Sequence, residues 1–300
     1  MSSFRDGEVS MQPLREATLI RIDKDFEMPS VPLVLMKIHQ ILDDNTSSAQ
    51  ELEKLILHDP SLSARILKLA NSAFYCFPNQ VKTISHAIAL LGLNLVKSLA
   101  IGVNIFDSFT RGMHKEAALI NKLWMHSVGV GQLAQVIWAR RSGRKESEFA
   151  FLCGLLHDLG KVVFFKNDPV HYAEIFATEK GDGDLDICAF EVDYYGTDHA
   201  ALGFELAKRW GLPPQLAKVL QKHHAVFSSD DQLVAAVAMA DAVAKQAGIG
   251  YDGDNKMMAD MDALQAHLTM SPVEYESLIA SAGAKRKEVE SFFLLLPGKK

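Results

Sequence analysis

Apolar side chains recur along this chain at three- and four-residue spacing, the pattern of a helix with one buried face. Leu62, Ile66, Leu69 and Ala70 make one such stripe, and Leu52, Leu55 and Ile56 make another. Similar patterns run through residues 33–42, 84–91, 115–141, 147–165, 199–210, 214–224 and 232–247. Leu264 with Leu268, and Val289 with Phe293, extend helical spacing into the last fifty residues. The starts and stops agree with the stripes. Asp59 before Pro60 reads as an N-cap followed by proline at the first helical position. Ser48 with Glu51 reads as a capping box, Ser30 and Pro32 precede the 33–42 run, and Gly92 closes the 84–91 run. Only residues 16–22 suggest a short strand. Loops are expected at 76–82, 166–168, 180–184 and 249–256. The last of these, Ile-Gly-Tyr-Asp-Gly-Asp-Asn-Lys, lacks the ligand register of a calcium loop and reads as a plain polar connection. The pattern predicts an all-α, multi-helix protein.

With 300 residues and 48% hydrophobic side chains, the chain can bury a sizeable core. The net charge of −6, with 37 acidic against 31 basic residues, opposes general nucleic-acid binding. One basic cluster, Arg140, Arg141, Arg144 and Lys145, reads as a helix C-terminus complementing its macrodipole. The longest apolar run, 149–165, is interrupted by His157, Asp158 and Lys161, so no membrane span is expected. The first ten residues, MSSFRDGEVS, lack the apolar core of a secretory signal. Cys76, Cys153 and Cys188 are odd in number and widely spaced, forming neither a zinc pattern nor a disulfide framework. A reduced cytoplasmic setting is the expectation.

Chemistry concentrates in Leu155-Leu156-His157-Asp158-Leu159-Gly160-Lys161. A carboxylate in so apolar a run needs a partner, and a divalent cation is an efficient one. Imidazole and carboxylate together suit iron, manganese, nickel or zinc. His126, His199, the adjacent His223 and His224, and Asp241 lie on other helical runs that could converge on the same place. These seven residues, five histidines and two aspartates, could hold one or two ions in a bundle core, with Asp158 the natural bridge. Any one of them alone has an ordinary reading: His126 as a satisfied histidine, Asp241 as a cap or ion-pair partner. His39, His58, His86, His114, His171 and His267 are read as ordinary histidines. Lys161 either neutralises phosphate charge or pairs with a carboxylate.

The order His, His-Asp, His, His-His, Asp resembles the HD phosphohydrolase superfamily, in particular its two-metal HD-GYP branch. The N-terminal half narrows the resemblance. Met28-Pro29-Ser30-Val31-Pro32, His58-Asp59-Pro60-Ser61-Leu62, Leu69-Ala70-Asn71-Ser72-Ala73-Phe74-Tyr75 and the run 84–92 are similar to the HDOD domain, the HD-related output domain of bacterial signalling proteins. Glu191, Gly196, Asp198-His199, Gly203, Trp210-Gly211-Leu212-Pro213 and His223-His224 agree with it. The resemblance implies an HD-type bundle preceded by an N-terminal helical lobe. A segment 1–24 would precede an HDOD domain at 25–250, made of lobes 25–110 and 115–250, and a helical extension would follow at 251–300. Many HDOD domains have lost the metal residues, whereas this chain keeps the set. Two departures stand out. The GYP segment is absent, because the chain reads HHAVFSSDDQ after the paired histidines. Lys122 stands where some HD-GYP members carry a further carboxylate, so a third metal is not expected.

Two functions compete on these grounds. One is a regulatory module that meets a protein partner in a signalling pathway, its metal site structural or sensory. The other is a metal-dependent phosphohydrolase acting on a nucleotide or another phosphoester, with Asp158 and Lys161 in catalytic roles. No receiver or other sensor segment is recognised, so the input is expected to lie elsewhere. Cyclic-dinucleotide hydrolysis is expected to be weak or absent. Ser228, Ser229, Asp230 and Asp231 place negative charge where a dianionic substrate would approach, and Ser228-Ser229-Asp230 also read as a cap for the helix that carries Asp241.

Overall fold

Asp59 caps its helix as its position predicts, accepting hydrogen bonds from the backbone N–H groups of Ser61 and Leu62. That helix is one of fourteen among the residues that the computed structural model describes: 49–71, 75, 77–110, 113, 115–142, 144–177, 186–224, 232–254 and 261–294. In chain order they are α1 (Ala49–Leu57), α2 (Pro60–Ala70), α3 (Ile84–Leu91), α4 (Leu93–Thr110), α5 (Ala117–Ser142), α6 (Arg144–Leu156) and α7 (Leu159–Asn167). Then come α8 (Pro169–Ala177), α9 (Ile187–Tyr195), α10 (His199–Arg209), α11 (Pro214–Lys222), α12 (Gln232–Gln246), α13 (Met261–His267) and α14 (Pro272–Leu294). No strand occurs among the described residues. The expected strand at 16–22, Ser48 of the capping box, the motif 28–32 and Cys76 lie outside them.

Buried apolar side chains from Leu52 on α1 to Ala282 on α14 form one continuous cluster. The N-terminal helices are therefore not a separate body, and α4 packs directly against α6. The frame of the C-terminal half is the α5–α6 hairpin. Its two helices touch through glycines: a Cβ on Gly154 would lie 2.8 Å from the Cα of Gly131. That close approach brings His126 on α5 and His157 after α6 to opposite sides of one gap, their rings 5.5 Å apart. Helix α12 lies on α5, while α10 packs on both α7 and α11. The C-terminal helices α13 and α14 dock on α12, and α14 also on α5.

Three expectations are corrected. The 147–165 run is not one helix, because α6 ends at Leu156 and α7 begins at Leu159, with His157 and Asp158 in the turn between. A straight helix would have kept Asp158 within its own turn-to-turn register, whereas the break lets it face several helices at once. The loop expected at 166–168 shrinks to Asp168, since α7 runs to Asn167 and α8 starts at Pro169. Arg140 and Arg141 do lie in the last turn of α5, but Arg144 and Lys145 open α6 instead. Among the described residues no single helix is long and apolar enough to cross a membrane. Ile84–Leu91 and Leu93–Phe106 reach that apolarity only together, and they meet at a 120° bend.

Candidate metal centre

Asp158 occupies the N-cap position of α7 but makes no side-chain cap. Its carboxylate is used elsewhere. Oδ2 accepts a 2.9 Å bond from Lys161 Nζ, and Oδ1 lies 3.3 Å from His199 Nε2 and 3.6 Å from His223 Nε2. His157 Nε2 lies 3.3 Å from Oδ2. Gly160 makes this convergence possible, because a Cβ there would fall 2.0 Å from the carbonyl oxygen of His199. Helix α7 can therefore press directly on the start of α10, which Asp198 caps through Ala201 N.

Each of four histidines is oriented by its other ring nitrogen. The Nδ1–H of His157 donates to Gly154 O at 2.7 Å, that of His223 to Leu220 O at 2.9 Å, and that of His126 faces Ile249 O at 3.4 Å. His199 Nδ1 donates to Glu191 Oε2 at 2.7 Å. Glu191 also accepts from the His199 backbone N–H and from the Tyr172 hydroxyl, so α8 and α9 together fix this carboxylate. In the neutral ring with Nδ1 protonated, each of these four Nε2 atoms presents a lone pair inward, the arrangement usual for metal-ligating histidine.

What those lone pairs meet is each other. His199 Nε2 lies 3.3 Å from His223 Nε2 and 3.1 Å from His224 Nε2. Two nitrogens bound tetrahedrally at about 2.0–2.1 Å from one ion would stand about 3.3 Å apart. His126 Nε2 lies 2.9 Å from Asp241 Oδ1, yet neither atom has an aligned hydrogen-bond partner. The same is true of His157 Nε2 and Asp158 Oδ1. Leaving such atoms dry and unpaired is costly, and a cation among them removes the cost. Ligand atoms of Asp158, His199, His223 and His224 lie within 4.8 Å of one another, as do those of His126, His157 and Asp158. Asp158 belongs to both groups, and His126 joins Asp241 and Asp252 in a third. The residues can therefore coordinate a metal, and their donor set fits one of the imidazole–carboxylate type.

Burial is nearly complete. His126, His157, Asp158, His199, His223 and Asp241 are each 3% exposed or less, and His224 is partly exposed. In the metal-free chain, burial pushes the His199 pKa down, but the Glu191 carboxylate outweighs it and holds the ring at about 9. Burial lowers His223 to about 4 and pushes His224 well down as well. Asp158 and Asp241 stay well below the usual carboxylate range. Burial alone would raise both, but His157 and Lys161 act on the first and Lys245 and His126 on the second.

All seven sequence candidates thus converge. Lys161 is fully buried and bonded at 2.9 Å to both Asp158 and Asp252. Of the histidines read as ordinary, His171 pairs with Asp168 and His267 faces Gln232. His39 and His114 lie outside the described residues, as do Ser228, Ser229, Asp230 and Asp231. Two contributors were not foreseen. In the sequence Glu191 is a family residue with no assigned role, and the 249–256 segment reads as merely polar. The loop instead buries Asp252 and Asp254 against Lys161 and Lys245. The available signal is three closely spaced glycines, Gly248 and Gly250 before its aspartates and Gly253 between them. Cys188 lies near Glu191 and His199, but burial pushes its thiol pKa up, and both Glu191 oxygens are already engaged.

The HDOD domain model matches residues 28–226. This chain belongs to the HDOD family. A Geobacter sulfurreducens HDOD domain protein of unknown function has a similar crystal structure, at 27% identity and a TM-score of 0.70, covering 91% of this chain and 94% of that one. A Shewanella amazonensis protein provisionally described as a phosphohydrolase is similar at 26% identity and a TM-score of 0.67, covering 89% and 94%. An uncharacterized protein of Treponema pallidum is 25% identical over 244 residues, 79% of this chain. The chain spans less than half the length of the curated relatives it matches.

Proposed function

We propose that this HDOD protein is a bacterial signal-transduction module whose residues 25–250 hold a dinuclear divalent-metal centre bridged by Asp158. One ion would take His126, His157 and Asp241, the other His199, His223 and His224. The observation that carries the reading is the pair of ligand groups sharing Asp158, with unpaired buried acceptors in each. Imidazole-rich ligation with carboxylates favours iron, manganese, nickel or zinc over magnesium or calcium. Nearby charge supports a cation as well: Asp158, Asp241, Asp252 and Asp254 are buried around the ammonium groups of Lys161 and Lys245. Charged groups in such surroundings are tolerated when their neighbours neutralise them.

A second reading, hydrolysis of a nucleotide or another phosphoester, draws on the same ligands and on the similarity to the Shewanella protein. A bound divalent ion would supply Lewis acidity toward a phosphoryl oxygen. The chain's own part would be to hold the ligands rigid through Gly154, Leu220 and Glu191. Lys161, buried between two carboxylates, serves in this reading as an internal counter-ion to Asp158 rather than as a phosphate contact. Elemental analysis of the purified protein, with a protein-partner search and a phosphodiester substrate screen, separates the readings. Bound metal with an identified partner and no turnover supports the regulatory role. Turnover lost in Asp158→Ala supports hydrolysis, and absence of metal under reconstitution overturns both.

A further inference from the structure

Both proposed ligand carboxylates keep one oxygen without a hydrogen bond and give the other to a lysine. Asp158 Oδ1 faces His199 and His223 without a hydrogen bond, while its Oδ2 holds Lys161 and also lies 3.3 Å from His157 Nε2. Asp241 Oδ1 likewise has no aligned hydrogen bond, facing His126 Nε2 at 2.9 Å, while its Oδ2 lies 3.1 Å from Lys245. The two lysines sit on different helices, α7 and α12, and meet at one atom. Asp252 Oδ2 is 2.9 Å from Lys161 Nζ and 3.2 Å from Lys245 Nζ. Lys245 continues to Asp254 Oδ2 at 2.9 Å.

The segment that delivers Asp252 is built to lie close against α5. Gly248, Gly250 and Gly253 all have positive φ, at 66°, 63° and 85°. At Gly250 any Cβ would fall 2.3 Å from His126 N and 2.4 Å from Lys122 O. Tyr251 N donates to Lys122 O at 3.2 Å, and Ile249 O faces the His126 ring. The HDOD match ends at residue 226, so this strap lies beyond it.

Asp252 is near enough to His126 and Asp241 to be taken for a ligand. Its lone pairs argue otherwise. Oδ2 is shared by both lysines, and Oδ1 accepts the Asp254 backbone N–H at 3.3 Å. The unpaired atoms belong to Asp158 and Asp241 instead. We propose that Asp252 is a positioning residue for the metal centre: it draws Lys161 and Lys245 together so that each fixes one oxygen of a ligand carboxylate while its charge is shared rather than opposed to the metal. This inference rests on the metal reading above.

The test is equilibrium dialysis of the full chain against Zn2+, which binds this donor type more tightly than manganese or iron does. Wild type is measured first. If it binds no Zn2+, the metal reading fails and the inference falls with it. With wild-type binding established, Asp252→Asn is expected to hold Zn2+ at least tenfold more weakly, within the range of about 10–100-fold seen when outer partners of ligands are removed. Its helical circular dichroism should be unchanged. Adding Lys161→Met to Asp252→Asn should recover part of the loss, because the ammonium left unbalanced on Asp158 is then gone. A strap that matters only for folding would give additive losses, which overturns the proposal. A folded Asp252→Asn chain with wild-type affinity overturns it too. If Asp252→Asn does not fold, Asp252→Glu is measured: affinity within threefold of wild type supports a charge-based role, and a tenfold loss refutes it.

Discussion

Replacing Asp158 by Ala removes a carboxylate that lies within 3.6 Å of three histidines and Lys161. Two separable losses follow. The first belongs to the chain alone. Breaking a buried ion pair by removing one partner costs about 3–5 kcal/mol. Lys161 keeps Asp252 at 2.9 Å, so the lower end, about 3 kcal/mol, applies. At roughly 2–4 °C per kcal/mol for a large domain, the Tm should fall by about 6 °C or more. The second loss is linkage to metal. An ion present at about a thousand times its Kd stabilises the folded chain by about 4 kcal/mol, and that share vanishes if the bridging ligand is gone. Scanning calorimetry of wild type and Asp158→Ala, each with and without a chelator, resolves the two. The chelator should lower the wild-type Tm and leave the variant's unchanged. Elemental analysis should find the variant depleted. Unchanged metal content in folded Asp158→Ala would refute the site assignment, and equal Tm values with chelator present would refute the ion-pair argument.

Other outcomes follow from the same geometry. In the metal-free chain Glu191 holds His199 at about 9, above its unfolded value near ~6.5. That pair therefore contributes stability fully below pH ~6.5 and loses it as pH rises through about 9. Thermal melts with chelator across this window should show the loss, and Glu191→Gln should abolish it. Metal affinity should run the opposite way, tightening as pH rises because the ion displaces protons from its ligands. Gly160→Ala sets a methyl 2.0 Å from the His199 carbonyl oxygen, so α7 and α10 must part. Overpacking of this kind costs about 1–3 kcal/mol, and calorimetry should show the drop together with weaker metal retention. Metal-replete protein should leave a cyclic dinucleotide essentially uncleaved by chromatographic assay, and rapid Asp158-dependent cleavage would contradict this.

The all-α fold was legible because helix signals are local. Asp59 and Pro60 start a helix wherever they stand, Gly92 ends one, and the apolar stripes need only their own neighbours. The seven ligand candidates were legible for a related reason: histidine and aspartate inside apolar helical runs demand partners, and the order of the run matched a known pattern. Sequence spacing did not carry distance. Nothing in the 147–165 run announces the turn at His157-Asp158, beside which Gly160 lies directly against His199 on a later helix. Glu191 acquires a role only when α9 is folded back on the first residue of α10. The strap is the clearest case. Gly-Tyr-Asp-Gly-Asp is hydrophilic by composition, and local physics places such a segment in water. Only the tertiary fold, by bringing Lys161 and Lys245 together, makes it favourable to bury Asp252 and Asp254 there. A buried charge is set by the partners it meets, and those partners lie far away along the chain.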